Sequence, residues 1–209
     1  MIIIKREKPM NEAKTPKKSE NTVLGEKFEE ALIFATQTHN KQFRKSTKIP
    51  YISHLMSVTA LVLEYGGSED VAIAALLHDA VEDQGGQEMA NEIRQRFGEV
   101  VAKIVLDCSD TDEMPKPPWR NRKEKYLEHL KSANPMSVMV SAADKLHNIR
   151  CILSDYRQIG DEVWKRFNAG REDLLWFYFT FGQIISDKMP KNYNEEYRGI
   201  LEQLFKDKY

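Results

Sequence analysis

Apolar positions recur at three- and four-residue spacing along most of the chain, and two-residue alternation is absent. Phe28, Leu32, Ala35 and His39 mark one stripe of a helix expected to run to about Gln42, with His39 a hydrogen-bonded core histidine. Pro50-Tyr51-Ile52-Ser53-His54 opens a second helix, whose apolar side is Val58, Leu61, Val62 and Tyr65 and whose stop is Gly66-Gly67. Ser68 reads as the N-cap of a third, with Glu69 and Asp70 in its first turn and an unbroken apolar run from Val71 to Leu77. Helices are also expected from Gln87 to Phe97, from Glu99 to about Cys108, and from Asn134-Pro135 onward with Val138, Val140, Leu146 and Ile149 inward. A last one, from Asn194 to Asp207, reads as a packing or dimer helix. The aromatic stretch from Trp164 to Ile185 reads as core without chemistry. The class is all-α, with one helical bundle domain over residues 23–209.

The N-terminus departs from this pattern. Ile2-Ile3-Ile4 is too short for a signal-peptide core or a membrane span, and Lys5 to Glu20 is nearly free of apolar residues, so residues 1–22 read as a mobile tail. A chain of 209 residues with 41% hydrophobic positions can bury a sizeable core, and a net charge of -1 points to neither nucleic acid nor a membrane surface as partner. Cys108 and Cys151 have no CxxC spacing, so no disulfide framework or thiolate metal site is expected, and a reducing cytoplasm is the default compartment.

Candidate chemistry begins where the apolar run gives way to His78, Asp79, Glu82 and Asp83. If the helix continues, His78 and Glu82 share one face, and Asp79 and Asp83 share the face beside it. Three carboxylates near a helix C-terminus repel each other and oppose the macrodipole. A bound divalent cation reverses both effects, whereas a solvated helix end stopped by Gly85-Gly86 merely tolerates them. The basic, hydroxyl-rich turn from Gln42 to Lys48 suits phosphates or a plain surface loop. Ser109 to Arg122, with Asp110, Asp112, Glu113, an exposed Trp119, Arg120 and Arg122, is expected to be irregular, either a wall for a phosphate-bearing ligand or a simple connection. Asp144 falls within an apolar run and needs a partner there, which Lys145, Arg150 or a metal could supply.

His54, His78-Asp79 and Asp144 together match the ligand pattern of the HD metal-dependent phosphohydrolases. Four ordered segments narrow the likeness: Gln42-Phe43-Arg44-Lys45, Pro50-Tyr51-Ile52-Ser53-His54, the run from Leu76 to Asp83, and the run from Ala143 to Arg150. In these the chain resembles the hydrolase domain of the RelA/SpoT alarmone enzymes over roughly Phe28 to Phe181. Its segment from Pro118 to Lys123 and its aromatic last third look most like the stand-alone bacterial small alarmone hydrolases.

The resemblance implies an HD-type bundle in which His54, His78, Asp79 and Asp144 hold a divalent cation and Glu82 and Asp83 orient water and move protons. It implies that Arg44, Lys45, Ser46, Asn148, Arg120, Arg122 and Cys151 meet the nucleotide. The expected activity is a cytoplasmic 3′-pyrophosphohydrolase acting on (p)ppGpp or (p)ppApp. Two imidazoles and two carboxylates suit Mn²⁺, with Fe²⁺, Zn²⁺ or Ni²⁺ as substitutes. Leu55 stands where many relatives have proline, Gln84 where threonine is common, and Cys151 where threonine often helps to hold the ribose. None of these removes a ligand or an acid. Two other readings stay open: an HD phosphohydrolase of nucleoside monophosphates, cyclic nucleotides or NADPH, and a non-enzymatic alarmone-binding or antitoxin-like protein. A homo-oligomer and a cognate toxic alarmone synthetase are both compatible partners.

Overall fold

Helix follows helix, as the three- and four-residue spacing requires. The computed structural model describes residues 22–110 and 115–206, so the expected tail lies outside the described residues except for Thr22, and Asp112 and Glu113 lie outside them as well. Among the described residues there are nine α-helices: α1 (Glu26–Thr38), α2 (Ile52–Glu64), α3 (Glu69–Leu77), α4 (Gly86–Phe97), α5 (Glu99–Cys108), α6 (Trp119–Ser132), α7 (Pro135–Ile159), α8 (Arg171–Ile185) and α9 (Lys191–Leu204). No strand forms among them, and the only extended pairing there is an isolated bridge between Phe43 and Pro50. No helix among the described residues is long and apolar enough to cross a membrane.

Several boundaries differ from expectation, and α9 spans Lys191–Leu204 instead of Asn194 to Asp207. α1 stops at Thr38 instead of near Gln42, because the backbone beyond it is used elsewhere. The Gln42 carbonyl accepts the Tyr51 amide at 2.9 Å and the Arg44 amide reaches the Ile49 carbonyl at 2.8 Å, closing a tight turn that carries the basic segment. Residues 119–122 are the first turn of α6 and not loop, and Trp119 is half-buried, set edge-on against Trp176 and Phe177.

α3 is the centre of the molecule. Every residue from Val71 to Leu77 is buried, and the helix is packed against α1, α2, α5 and α7. A helix apolar on all sides must be enclosed, and each Leu, Ile or Val so buried contributes about 1.5–3 kcal/mol. α7, the longest helix, crosses beside it and opens on a true cap, with the Asn134 side chain accepting the Met136 amide at 2.9 Å and Pro135 at the first helical position. Ser68 occupies the equivalent place before α3 without making a side-chain cap bond. α9 is tied to its neighbours by Tyr193, whose hydroxyl donates to the Ala142 carbonyl (3.0 Å), and Tyr197, whose hydroxyl donates to the Tyr178 carbonyl (2.9 Å). The aromatic third is core as expected, except that Phe179 is exposed.

The end of α3 creates the site. The His78 Nδ1 lies 2.8 Å from the Ala75 carbonyl, the acceptor that a continuing α-helix would offer to the Asp79 amide. The regular helix ends at Leu77, with His78 still in helical backbone conformation. The chain then passes through a π turn, Val81–Gly85, before Gly86, at φ +53°, redirects it into α4.

Candidate metal centre and adjoining cavity

Three helices bring four polar side chains to one point. His54 comes from the first turn of α2, His78-Asp79 from the end of α3, and Asp144 from the middle of α7. Asp79 Oδ2 is 3.0 Å from His78 Nε2 and 3.7 Å from His54 Nε2, while Asp144 Oδ1 is 3.2 Å from His54 Nε2 and 3.8 Å from His78 Nε2. His54, His78 and Asp144 are buried, and each offers one ligand atom within 4.8 Å of the others. Around an ion with bonds of about 2.1 Å, neighbouring ligand atoms stand about 3.0–3.4 Å apart; the 3.2 Å His54–Asp144 and 3.0 Å His78–Asp79 separations fall in that range, while Asp79 stands outside the group of three whose ligand atoms are all mutually close. The tautomer agrees: with its Nδ1 committed to the Ala75 carbonyl, His78 turns toward the two carboxylates a buried Nε2 that makes no hydrogen bond. An imidazole nitrogen facing two carboxylates calls for positive charge between them, either a proton on Nε2 or a cation that displaces it.

The charges around this point are strongly perturbed. Burial alone would lower His78, but the Asp79 and Asp144 carboxylates outweigh it and push the imidazole up to about 10. His54 is held below its ordinary value by burial, although Asp144 pulls the other way. Burial opposes the ionisation of both carboxylates; His78 nonetheless keeps Asp79 below the usual range, and Lys145 keeps Asp144 well below it. Asp144 divides its two oxygens. Oδ1 faces the histidines and accepts from Asn148 Nδ2 at 2.6 Å, while Oδ2 pairs with Lys145. Arg150 is occupied by Glu196 at 2.7 Å. The Tyr51 hydroxyl donates to Asp79 Oδ2 at 2.6 Å and fixes its direction.

Glu82 and Asp83 leave the π turn toward different surroundings. Glu82 pairs with Lys116 at 2.9 Å, whereas Asp83 accepts from Gln42 Nε2 at 2.8 Å and borders the cavity described below. Burial and the Asp110 charge push Glu82 above the usual carboxylate range; partial burial and the Asp79 charge push Asp83 the same way. Gln42 is itself oriented by His39, whose Nδ1 is 2.6 Å from its Oε1. His39 is thus buried and hydrogen-bonded, as expected.

Beside Asp83 opens a cavity of about 760 Å³, the size of a nucleotide-scale pocket. Of the residues expected to meet a nucleotide, Arg44, Lys45, Asn148 and Cys151 line it. Arg44 Nη2 donates to Asn148 Oδ1 at 2.5 Å, and Lys45 Nζ donates to Asn168 Oδ1 at 2.9 Å. Ser46 is not a lining residue; it sits exposed at the turn apex with φ +58°, and Thr47 lines the wall instead. Arg120 and Arg122 are outside the lining as well. Arg120 lies over the Trp176 ring and bonds Glu124 at 2.9 Å, and Arg122 is bound to Asp110 at 2.7 Å. Sequence reasoning missed Arg166, Phe167 and Tyr178, which complete the wall from the segment taken as inert core. The polar tip of Tyr178 within an apolar run was the one available signal.

Residues 31–175 match the family model described as HD domain. The guanosine-3′,5′-bis(diphosphate) 3′-pyrophosphohydrolase MESH1 of Xenopus tropicalis is 33% identical over 181 residues, covering 85% of this chain and 92% of that protein. Its Homo sapiens counterpart is 31% identical, covering 86% and 93%. Among solved structures, a Listeria monocytogenes protein superposes with a TM-score of 0.64 at 28% identity, covering 73% of this chain and 99% of that one. A metazoan ortholog of SpoT, described as hydrolysing ppGpp, superposes with a TM-score of 0.70 at 24% identity, covering 87% and 97%, a likeness of fold.

Proposed function

The chain belongs to the HD domain family, and on that premise we propose that it is a divalent-cation-dependent 3′-pyrophosphohydrolase of guanosine-3′,5′-bis(diphosphate) and closely related nucleotides. The observation that carries this reading is the convergence of His54, His78, Asp79 and Asp144 next to two acids and a cavity with Arg44 and Lys45 in its wall.

The His54 and His78 Nε2 atoms with Asp79 Oδ2 and Asp144 Oδ1 would hold the ion, and this mixed imidazole and carboxylate set suits Mn²⁺ or Fe²⁺. Such an ion, when bound, supplies Lewis acidity that lowers the pKa of water and draws charge from a phosphoryl oxygen. The chain's own side chains supply the rest. Arg44 and Lys45 exchange their asparagine partners for phosphate oxygens, and Asn148, released from Arg44, turns its amide oxygen to the ribose. Glu82 and Asp83 handle the protons: one carboxylate takes a proton from the attacking water, and the other carboxyl gives one to the ribose 3′-oxygen. The upward push on both acids suits a group that must be protonated for part of the cycle. The water oxygen bonds to the phosphorus next to the 3′-oxygen and that P–O bond breaks. Pyrophosphate leaves, and a nucleoside 5′-di- or triphosphate with a free 3′-hydroxyl remains. Two free cysteines fit a cytoplasmic setting.

Liquid chromatography of ppGpp, pppGpp and pppApp incubated side by side with purified protein and Mn²⁺ tests this reading. Pyrophosphate and the matching 5′-nucleotide are the expected products, and the relative rates report base preference. Intact nucleotides alongside hydrolysis of NADPH, a cyclic nucleotide or a nucleoside monophosphate would replace the alarmone reading with another HD phosphohydrolase.

A further inference from the structure

His147 takes no part in the reaction as drawn, yet it touches the metal cluster from behind. It rises from α7 one turn after Asp144, on the face shared with Asn148 and Cys151. Its Nδ1 lies 2.7 Å from His54 Nδ1, with the ring centroids 4.8 Å apart. Two ring nitrogens at that distance must share one proton, because two lone pairs or two N–H groups would repel.

Two arrangements satisfy the contact. In the first, His54 Nδ1 donates to His147 Nδ1. The His54 Nε2 then carries a lone pair toward Asp144 Oδ1 and Asp79 Oδ2, and the His147 proton sits on Nε2, 3.7 Å from Cys151 Sγ, which can accept it weakly. In the second, His147 donates, and His54 must carry its proton on Nε2, where a cation would need to bind. Only the first leaves a ligand.

We propose that His147 is a positioning residue for the metal centre, accepting the Nδ1 proton of His54 and so fixing the tautomer whose Nε2 faces the two carboxylates. This rests on the cation reading given under Proposed function. The two imidazoles are then oriented by different means. His78 leans on a backbone carbonyl that no substitution can remove, whereas His54 depends on a side chain.

The test is Mn²⁺ binding to the full chain by isothermal titration for wild type, His147→Phe and His147→Asn, with ¹⁵N-histidine NMR of the Zn²⁺-loaded wild type. His147→Phe is expected to lose about 10- to 100-fold in affinity, the usual effect of removing an outer partner of a ligating histidine. His147→Asn, whose Oδ1 can stand where Nδ1 stood, should bind more tightly than His147→Phe. The loaded wild type should show the His147 proton on Nε2. Wild-type affinity in His147→Phe, an asparagine variant no better than the phenylalanine one, or a proton on His147 Nδ1 would each overturn the inference. If His147→Phe does not fold, the tautomer in the wild type decides alone. A wild type that binds no divalent cation overturns this inference together with the cation reading, and is thereby distinguished from a failure of His147 alone.

Discussion

Cation affinity should rise about tenfold for each unit of pH between about pH 6 and pH 8, because a bound ion must displace one proton. The proton is on His78. Its Nδ1 is held by the Ala75 carbonyl, its Nε2 lies 3.0 Å from Asp79 Oδ2, and the two carboxylates push it up to about 10 against the effect of burial. Without a cation His78 is therefore an imidazolium at neutral pH. Asp79 and Asp144 are held below the usual carboxylate range and His54 is held down by burial, so no other member of the cluster exchanges a proton in this window. Isothermal titration of Mn²⁺ into metal-free protein, in two buffers of different ionisation enthalpy, should count about one proton released per ion. The same proton sets the stability of the empty protein. His78 has a folded value above its unfolded one, so the stabilisation is complete below about pH 6.5 and is lost as pH rises toward about 10. The loss is on the order of 5 kcal/mol, which for a chain of this length lowers the melting temperature by on the order of 10 °C, and Mn²⁺ should abolish that slope. An affinity independent of pH, or binding without proton release, would refute this account of the cluster.

Further outcomes are expected at defined positions. Glu82→Gln and Asp83→Asn should each lower kcat for pyrophosphate release by about 10²–10⁴-fold while Mn²⁺ binding by titration calorimetry stays intact, since neither acid is a ligand atom. Arg44→Ala should raise KM about 10- to 100-fold, and Arg44→Lys should not restore it, because a point charge cannot reproduce the guanidinium fork. In urea unfolding, Asn134→Ala should cost about 1 kcal/mol, whereas Ser68→Ala, which removes no cap bond, should cost under about 0.5 kcal/mol.

The helices and the convergence of His54, His78, Asp79 and Asp144 were legible for the same reason: both are written in helical spacing. His54 falls in the first turn after a proline-marked start, His78-Asp79 breaks an apolar run, and Asp144 is a carboxylate where the pattern demands aliphatics. The cavity wall was less legible. α8 is aromatic at successive positions, so the pattern does not separate Tyr178, facing the cavity, from Phe179, facing outward. Arg120 and Arg122 looked available because sequence cannot reveal that Trp176 and Asp110 already hold them. The end of α1 was misplaced because its stripe continues in phase to His39, while the bonds that unwind Gln42 come from Ile49 and Tyr51, on the far side of the turn.

The π turn at Val81–Gly85 spends one more residue per revolution than an α turn would. Shortening it by a single position would remove that extra residue and let the backbone run on as ordinary helix, leaving the flanking residues nearly in their former directions while the residues inside the turn change place. Glu82 would part from Lys116, or Asp83 from Gln42, with both carboxylates still present and the core untouched. On the proposed roles of these two acids, chain length would act as a determinant of activity in its own right, which a comparison of residue identities alone would miss.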